Sequence, residues 1–298
     1  MSSPGLGSGR ACGKAILLGE HSVVYGGPAV AIPVPALTVD VEIEAGDGWD
    51  LGPAEGIDRR ILDRARDAQL SAIGWPGTPP RIRVRATLPP ACGLGSSAAF
   101  SVALARALST ATGRPTDIEA VGALANHSEL VFHDRPSGVD VAAVLAGAPI
   151  HFRRGQAPRP LQVACRIDLW VVDTGVRSST AEVVAAVARR READPEAIAG
   201  AMQGLDQAAR RGMAALETGA PAELISAVDD AMAGLRAIGV SHPAIERVVD
   251  AAGAAGAPAA KLSGAGCGGI VLVVAPDPDW QPGPVLADRP VLTRIRLG

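Results

Sequence analysis

One segment constrains the fold of this chain more than any other: residues 88–100, with the sequence LPPACGLGSSAAF. A turn rich in proline and glycine leads there directly into an apolar, alanine-rich run, which predicts a loop followed by a helix over residues 98–108. Gly93 and Gly95 allow positive φ angles and a close approach of a ligand to the backbone. The unpaired N–H groups and the dipole at the start of the helix attract an anion. The first hypothesis is therefore a phosphate-binding loop.

Two serines at the start of that helix extend the hypothesis, because a hydroxyl of Ser96 or Ser97 is placed to reach a cation bound to the phosphate. The loop is not a Walker A motif, since no Lys-Ser/Thr pair follows its glycines at the required spacing, and it is not the dinucleotide fingerprint G-x-G-x-x-G. The alternative for this segment alone is an ordinary turn before a serine-capped, buried helix. A choice between the two needs evidence from the rest of the chain.

The composition indicates a globular protein with a small-molecule partner. The 298 residues are 48% hydrophobic, enough for a substantial core in one large or two modest domains. No apolar run approaches the roughly 18 residues of a membrane span, and the N-terminus lacks an apolar signal segment, so we expect a cytoplasmic protein without a membrane partner. A net charge of −3 and few aromatic residues argue against nucleic acid. The four cysteines lack C-x-x-C spacing, which argues against structural zinc.

Lysine is almost absent from the chain, and both lysines adjoin glycine-containing segments. Only Lys14 and Lys261 occur, so 26 of the 28 basic residues are arginine. Lysine carries a compact charge that suits a phosphate or a substrate oxygen. Lys14 starts a predicted apolar strand within residues 13–27, and Glu20 and His21 end it. A histidine beside a carboxylate is more often a structural pair than a catalyst.

Hydrophobic periodicity and turn residues divide the rest of the chain into short elements. Period-two alternation predicts half-exposed antiparallel strands, continuous apolar runs predict buried strands, and the pattern S/T-x-x-E predicts helix starts. The predicted strands are residues 38–44, 81–87, 167–173, 270–274 and 289–297; the predicted helices are residues 57–73, 116–130 and 179–191, two or three between 195 and 239, and one that opens at 241–244. A second glycine loop is predicted at residues 259–269. We place the domain boundary within residues 147–160 and predict domains at 1–155 and 156–298.

Two carboxylates follow residues 116–119, where the pattern S/T-x-x-E forms a capping box that predicts a helix start. Glu129 lies near the end of the predicted helix, and Asp140 stands between a helix-breaking segment and the small-residue run 141–148. Asp140 is either a catalytic carboxylate or the N-cap of the next helix, and its position alone favours the cap.

Four motifs, taken in order, resemble those of the GHMP small-molecule kinases. They are Lys14 followed by GEHSVVYG at 19–26, PPACGLGSS at 89–97, PSGVD at 136–140 and KLSGAG at 261–266. The resemblance spans most of the chain, and Glu129 and Asp140 stand at the separation expected in the family. The form G-E-H-x-V-V is similar to that of the members that phosphorylate mevalonate, whereas galactokinases carry G-E-H-T-D-Y at this point.

The resemblance implies an α+β fold of two domains, a ribosomal protein S5 domain 2-like N-terminal domain and a ferredoxin-like C-terminal domain, with ATP and substrate in the cleft between them. It implies MgATP-dependent phosphorylation of the 5-hydroxyl of (R)-mevalonate in the route to isoprenoids. Asp140 would take or orient the hydroxyl proton beside Lys14, and Glu129 with Ser96 or Ser97 would hold Mg²⁺. The residues expected to bind ATP are Pro89, Pro90, Ala91, Cys92, Gly93, Leu94, Gly95, Ser96 and Ser97, with Gly264, Ala265 and Gly266 of the second glycine loop. Those expected to bind mevalonate are Lys14, Glu20, His21, Asp140, Arg154 and Thr180.

The chain departs from the family pattern at Cys92 and Cys267, where the family usually has Gly or Ala, and we expect altered loop packing there. Three alternatives remain open. Another GHMP kinase would act on phosphomevalonate or a sugar, and a non-catalytic relative would sense a ligand, although the presence of Lys14, Glu129 and Asp140 argues against it. A generic α/β scaffold would leave both glycine loops and both lysines unexplained. The sequence leaves a homodimer open.

Overall fold

The computed structural model describes residues 6–52, 58–133, 136–283 and 289–298. The chain forms two compact units. The first comprises Met1–Lys14, Pro33–Pro90 and Gly95–Gly147, and the second comprises Ala15–Ile32, Ala91–Leu94 and Ala148–Gly298. The domain limits of 1–155 and 156–298 stay a prediction, and the first residue of the helix predicted at 57–73 lies outside the described residues.

The described residues form strands and helices in a mixed order. The strands are β1 (Gly7–Leu18), β2 (Pro28–Glu44), β3 (Trp49–Asp50), β4 (Arg81–Ala86), β5 (Ile150–Arg153), β6 (Arg159–Pro160), β7 (Ile167–Asp173), β8 (Ala259–Ser263), β9 (Ile270–Val274) and β10 (Val291–Leu297). The helices are α1 (Arg59–Ile73), α2 (Ser96–Thr112), α3 (Ile118–Phe132), α4 (Val139–Ala146), α5 (Thr180–Ala193), α6 (Pro195–Thr218), α7 (Pro221–Ala237) and α8 (Pro243–Ala254), with a short 3₁₀ helix at Ser22–Tyr25.

Strand β2 is much longer than the alternating segment predicted at 38–44, because its first half is continuously apolar and buried. Its second half pairs antiparallel with β4, with Val39 opposite Ala86 and Glu44 opposite Arg81, as predicted. Strand β1 likewise begins at Gly7, so Lys14 lies inside the strand and not at its start. The prediction missed this because glycines interrupt the first half of β1, whose side chains are not uniformly apolar.

Four helices complete the first unit, and aspartates cap two of them. Asp58 accepts a hydrogen bond from the N–H of Arg60 at the start of α1. At the start of α3, Asp117 accepts one from the N–H of Ala120, so Asp117 and not the predicted Thr116 is the N-cap. Helix α2 is buried along most of its length, as its alanine-rich sequence indicates.

The second unit contains an antiparallel sheet in the order β10-β7-β9-β8. Strands β7 and β9 have the predicted bounds and are almost entirely buried. The predicted start of α5 is confirmed, because the Ser179 side chain accepts a hydrogen bond from the N–H of Glu182 and so forms the N-cap. Proline occupies the first turn of α6, α7 and α8, where its missing N–H costs nothing. Helices α7 and α8 pack on β8.

Candidate active site

The glycine loop before α2 has the backbone conformation that its sequence predicts. Gly93 and Gly95 have φ angles of 90° and 70°, and Ala91 also has a positive φ of 54°. Helix α2 begins at Ser96, two residues earlier than predicted, and its N-cap Gly95 offers no side chain to bind the first N–H groups. In the second unit, a Cβ on Gly264 would lie 3.5 Å from the Cα of Gly93. The two predicted ATP-binding glycine loops therefore contact each other.

Lys14 and Asp140 form an ion pair within the first unit. The Nζ atom of Lys14 lies 2.9 Å from Oδ1 of Asp140, and the Lys14 side chain is 4% exposed. Asp140 is the second residue of α4, whose N-cap is Gly138 with a φ of 86°. The interpretation of Asp140 as a helix cap is therefore wrong, because Gly138, in the left-handed conformation, occupies the N-cap position of α4. Its carboxylate is left to face the lysine.

The stem of Lys14 packs against the glycine loop. A Cβ on Gly95 would lie 2.7 Å from Cε and 2.9 Å from Cγ of Lys14. Only a glycine leaves room for the lysine stem at this point. The loop and the ion pair are thus parts of one local arrangement.

Glu129 lies almost fully buried in the last turn of α3, with 1% of its surface exposed. The hydroxyl of Ser101 donates to its Oε1 atom over 3.1 Å. Burial and the nearby Asp140 raise the pKa of Glu129 to about 7, although hydrogen bonds from Ser101 and Ser97 and the charge of Lys14 oppose the shift. A cation beside this carboxylate would favour its ionised form.

The oxygen atoms around Glu129 suit a hard cation. Among the described residues, no group of three or more His, Cys, Asp or Glu side chains could hold a metal by itself. Mg²⁺ bound to nucleotide phosphates needs only one or two protein carboxylates and keeps several waters. One buried carboxylate with a serine hydroxyl is such a donor set, so the residues present fit Mg²⁺.

His133 belongs to the same cluster and was missed in the sequence. Its Nε2 atom lies 3.2 Å from the hydroxyl oxygen of Ser97, and burial lowers the pKa of the ring. His133 follows Glu129 by four residues, so the two side chains leave the end of α3 on the same side. That spacing is the signal that could have identified it.

In the second unit, Glu20 and Lys261 form a fully buried ion pair, with 1% and 0% of their side chains exposed. The Lys261 ammonium also donates to the carbonyl of Leu262. Burial lowers the pKa of Lys261, and the carboxylate of Glu20 opposes this shift. The pair joins β8 to the turn that follows β1, and a contact of Glu20 with substrate stays a prediction.

The neighbouring His21 is fixed by the second glycine loop. Its Nε2 atom lies 2.7 Å from the carbonyl oxygen of Ala265, and its φ angle is 60°. A carbonyl only accepts, so Nε2 carries the hydrogen and donates it. Burial lowers the pKa of His21, which favours the neutral ring. Nδ1 is then an acceptor, which suits a hydroxyl group of a ligand.

The other predicted substrate residues occupy the surface of the second unit. Arg154 is exposed in the turn after β5, and Thr180 is the exposed first residue of α5. Just before α5, Arg177 makes two hydrogen bonds of 2.7 Å to the buried carboxylate of Asp173. This pair was not predicted, although the spacing of four residues between opposite charges could have suggested it. The roles of Arg154 and Thr180 stay predictions.

Two family models match the chain. The model described as GHMP kinases N terminal domain covers residues 60–148, and the model described as GHMP kinases C terminal covers residues 213–279. The chain therefore belongs to the GHMP kinase family, and it has the family's two-domain fold of mixed helices and sheets. Family membership confirms the resemblance seen in the motifs and implies the use of ATP.

Within the family, the chain is similar to mevalonate kinases. The mevalonate kinase of Aeropyrum pernix is 33% identical over 279 residues, which cover 87% of this chain and 86% of that protein. The crystal structure of L. major mevalonate kinase in complex with R-mevalonate is 28% identical, with a TM-score of 0.84 over 98% of this chain and 95% of the other.

A second solved structure shows that the fold alone does not select the substrate. Streptococcus pneumoniae phosphomevalonate kinase, in complex with phosphomevalonate and AMPPNP, is 17% identical and has a TM-score of 0.79 over 97% of this chain and 99% of the other. At that identity the likeness concerns the fold only.

In the described part of the chain, no helix is both long enough and apolar enough to cross a membrane.

Proposed function

We propose that this chain phosphorylates the 5-hydroxyl of (R)-mevalonate with ATP and forms 5-phosphomevalonate. The observation that carries the proposal is the buried lysine paired with Asp140 at 2.9 Å, beside the glycine loop and Glu129. Mevalonate kinases from several organisms are 29–33% identical to the chain over most of its length, which favours mevalonate over other GHMP substrates.

Asp140 accepts or orients the proton of the attacking hydroxyl. The ammonium group of Lys14 pairs with this carboxylate and stabilises the negative charge that develops on the substrate oxygen. Most of the Lys14 side chain is buried, so its charge acts in a medium less polar than water. In phosphoryl transfer the protein contributes mainly position and charge, and this pair supplies both.

The glycine loop binds the phosphates of ATP through the backbone N–H groups at the start of α2. Glu129 and the hydroxyl of Ser97 or Ser96 hold the Mg²⁺ that accompanies ATP. When bound, this cation offsets charge on the transferring phosphoryl group. The hydrogen bond between Nε2 of His133 and the hydroxyl of Ser97 positions that serine near Glu129.

A substrate panel tests the proposal directly. ADP release is measured with mevalonate, phosphomevalonate, galactose and homoserine side by side, with and without Mg²⁺. We expect turnover with mevalonate only, and only when Mg²⁺ is present. Turnover with phosphomevalonate or galactose instead would identify a different GHMP kinase, and no turnover with any of the four would support a ligand sensor.

The variant Asp140→Asn tests the role of the carboxylate. Asparagine keeps the shape of the side chain but neither accepts the hydroxyl proton nor pairs with Lys14. We expect kcat to fall by about 10²-fold or more while ATP affinity stays within a few fold. The variant should stay folded with a lowered thermal midpoint, because the buried ammonium group of Lys14 loses its charged partner. Near-normal kcat would leave positioning by Lys14 and Glu129 as the source of catalysis.

A further inference from the structure

A buried polar network lies behind Glu129 in the first unit and has no part in the chemistry described above. Gln69 of α1 is fully buried, with 0% of its surface exposed. Its Nε2 atom donates to the carbonyl oxygen of Ser101 on α2 over 2.9 Å and to the hydroxyl of Ser128 on α3 over 2.7 Å. One amide thus contacts both the serine that binds Glu129 and the residue that precedes Glu129.

The direction of each hydrogen bond in the network is fixed. The main-chain carbonyl of Ser101 only accepts, so it must face the NH₂ group of Gln69. The hydroxyl of Ser128 donates to the carbonyl of Ala65 over 2.9 Å, so it accepts from Gln69. Both N–H groups of Gln69 are therefore used, and the amide has a single orientation.

Packing alone does not account for a glutamine at position 69. Its Oε1 atom is buried and has no hydrogen-bond partner among the residues that the structure describes. An unpaired buried carbonyl destabilises the fold, whereas methionine would fill a similar volume without burying an unpaired polar atom. The useful part of Gln69 is its NH₂ group, which contacts Ser101 and Ser128.

Ser101 restricts the carboxylate of Glu129 from its buried side. The last torsion of a glutamate side chain is broad, so a carboxylate without hydrogen bonds rotates readily. The 3.1 Å bond from Ser101 to Oε1 removes that freedom. Ser97, one turn earlier on α2, opposes the rise in the pKa of this carboxylate. Among the hydrogen bonds of the described residues, the bond from Ser101 is the one that fixes the Glu129 carboxylate.

We propose that Ser101 and Gln69 are positioning residues that hold the Glu129 carboxylate in the orientation in which it binds Mg²⁺. This inference rests on the proposed function, in which Glu129 holds the cation that accompanies ATP. Ser101 acts directly on the carboxylate, and Gln69 acts by holding Ser101 and Ser128. Hydrogen-bond partners of metal ligands typically contribute 10–100-fold to metal affinity.

The test separates metal binding from nucleotide binding. Calorimetry gives the Kd for AMPPNP in excess Mg²⁺ and again in EDTA, for the wild type, Ser101→Ala and Gln69→Met. We expect Ser101→Ala to weaken the Mg²⁺ complex about tenfold or more and to leave metal-free binding unchanged, with a smaller effect in the same direction for Gln69→Met. A merely structural role would weaken both forms of the nucleotide alike.

Ser109→Ala is the matched control, because Ser109 is also buried on α2 and lies eight residues, or about 12 Å, beyond Ser101. Its Mg²⁺ preference should equal that of the wild type. If Gln69→Met does not fold, Ser101→Ala alone tests the inference, because that substitution removes only one oxygen atom from the protein. An unchanged Mg²⁺ preference in Ser101→Ala overturns the inference.

Glu129→Gln separates this inference from the function on which it rests. If that variant keeps the Mg²⁺ preference, Glu129 does not hold the cation and the proposed metal site is itself wrong. If it loses the preference while Ser101→Ala keeps it, the metal site stands and only the positioning network fails.

Discussion

Replacing Lys261 by methionine should destabilise the protein strongly, and by an amount that depends on pH. Both members of the Glu20–Lys261 pair are buried, so removal of the lysine leaves a buried carboxylate without the ammonium group that it faces. Loss of one partner of a buried pair typically costs about 3–5 kcal/mol. The methionine fills most of the space, so the cost arises mainly from the charge.

The size of this destabilisation can also be obtained from the protonation of Glu20. In the variant, the folded state favours the protonated form of Glu20, so the pKa of Glu20 in the folded protein lies above the unfolded value of about 4.3. Stability from such a group is present below the unfolded pKa and is lost as pH rises. Protonation of Glu20 costs about 4 kcal/mol at pH 7 and about 1 kcal/mol at pH 5. The value at pH 7 agrees with the range for a broken pair.

The assay is urea unfolding followed by circular dichroism at pH 5 and pH 7, with each variant compared with the wild type at the same pH. Arg211→Met is the control, because Arg211 pairs with Glu223 and Asp230 at the surface and should cost less than about 1 kcal/mol at either pH. The double variant Glu20→Gln, Lys261→Met should lose the pH dependence. A Lys261→Met cost that is small, or equal at both pH values, would show that the buried charge of Glu20 does not cause the destabilisation.

Three further predictions concern the first unit. In steady-state kinetics with mevalonate, Lys14→Arg should lower kcat at least tenfold, because the wider guanidinium group does not fit beside Gly95. Unchanged turnover would show that the site does not require a compact ammonium group. Gly95→Ala should lower kcat and ATP affinity more than Gly113→Ala: both glycines have a φ near +65° to +70°, so the backbone strain is similar, but nothing lies within 4 Å of a Cβ on Gly113, whereas a Cβ on Gly95 would meet Lys14. Equal effects of the two variants would show that the contact with Lys14 is unimportant. Without metal, the stability measured in thermal melts should fall as pH rises from about 4.5 to 7, because the pKa of Glu129 in the folded protein is raised to about 7. Glu129→Gln should flatten this pH dependence, and a dependence that persists in the variant would be due to another group.

Local sequence patterns predicted the elements that depend on neighbouring residues. The helix after the glycine loop, strand β7 and the Ser179 cap all follow from periodicity or from capping chemistry within a few residues. The ends of long strands were less predictable. Strand β2 runs on from an alternating half into an apolar half, and no single period describes both.

Long-range pairing is what the sequence could not supply. Position alone favoured a cap for Asp140, whereas in the structure Gly138 is the N-cap and Asp140 pairs with Lys14, which lies 126 residues earlier in the chain. The partner of Glu20 lies 241 residues away. Neither pair has a periodic signal, because each depends on how separate segments pack.

The near absence of lysine acquires a physical reason from these two pairs. Both lysines are buried, each beside one carboxylate, and each carboxylate lies in a motif that the family resemblance selected. An arginine presents a wide planar group with five donors, so in a buried site it would leave several N–H groups unpaired. The stem of Lys14 also passes directly over Gly95, and Lys261 has no exposed surface. Among the described arginines, Arg66 is buried, where Asp63 and Asp67 take up its donors, and at the surface water satisfies extra donors; lysine occupies the two buried sites where a single compact charge must fit.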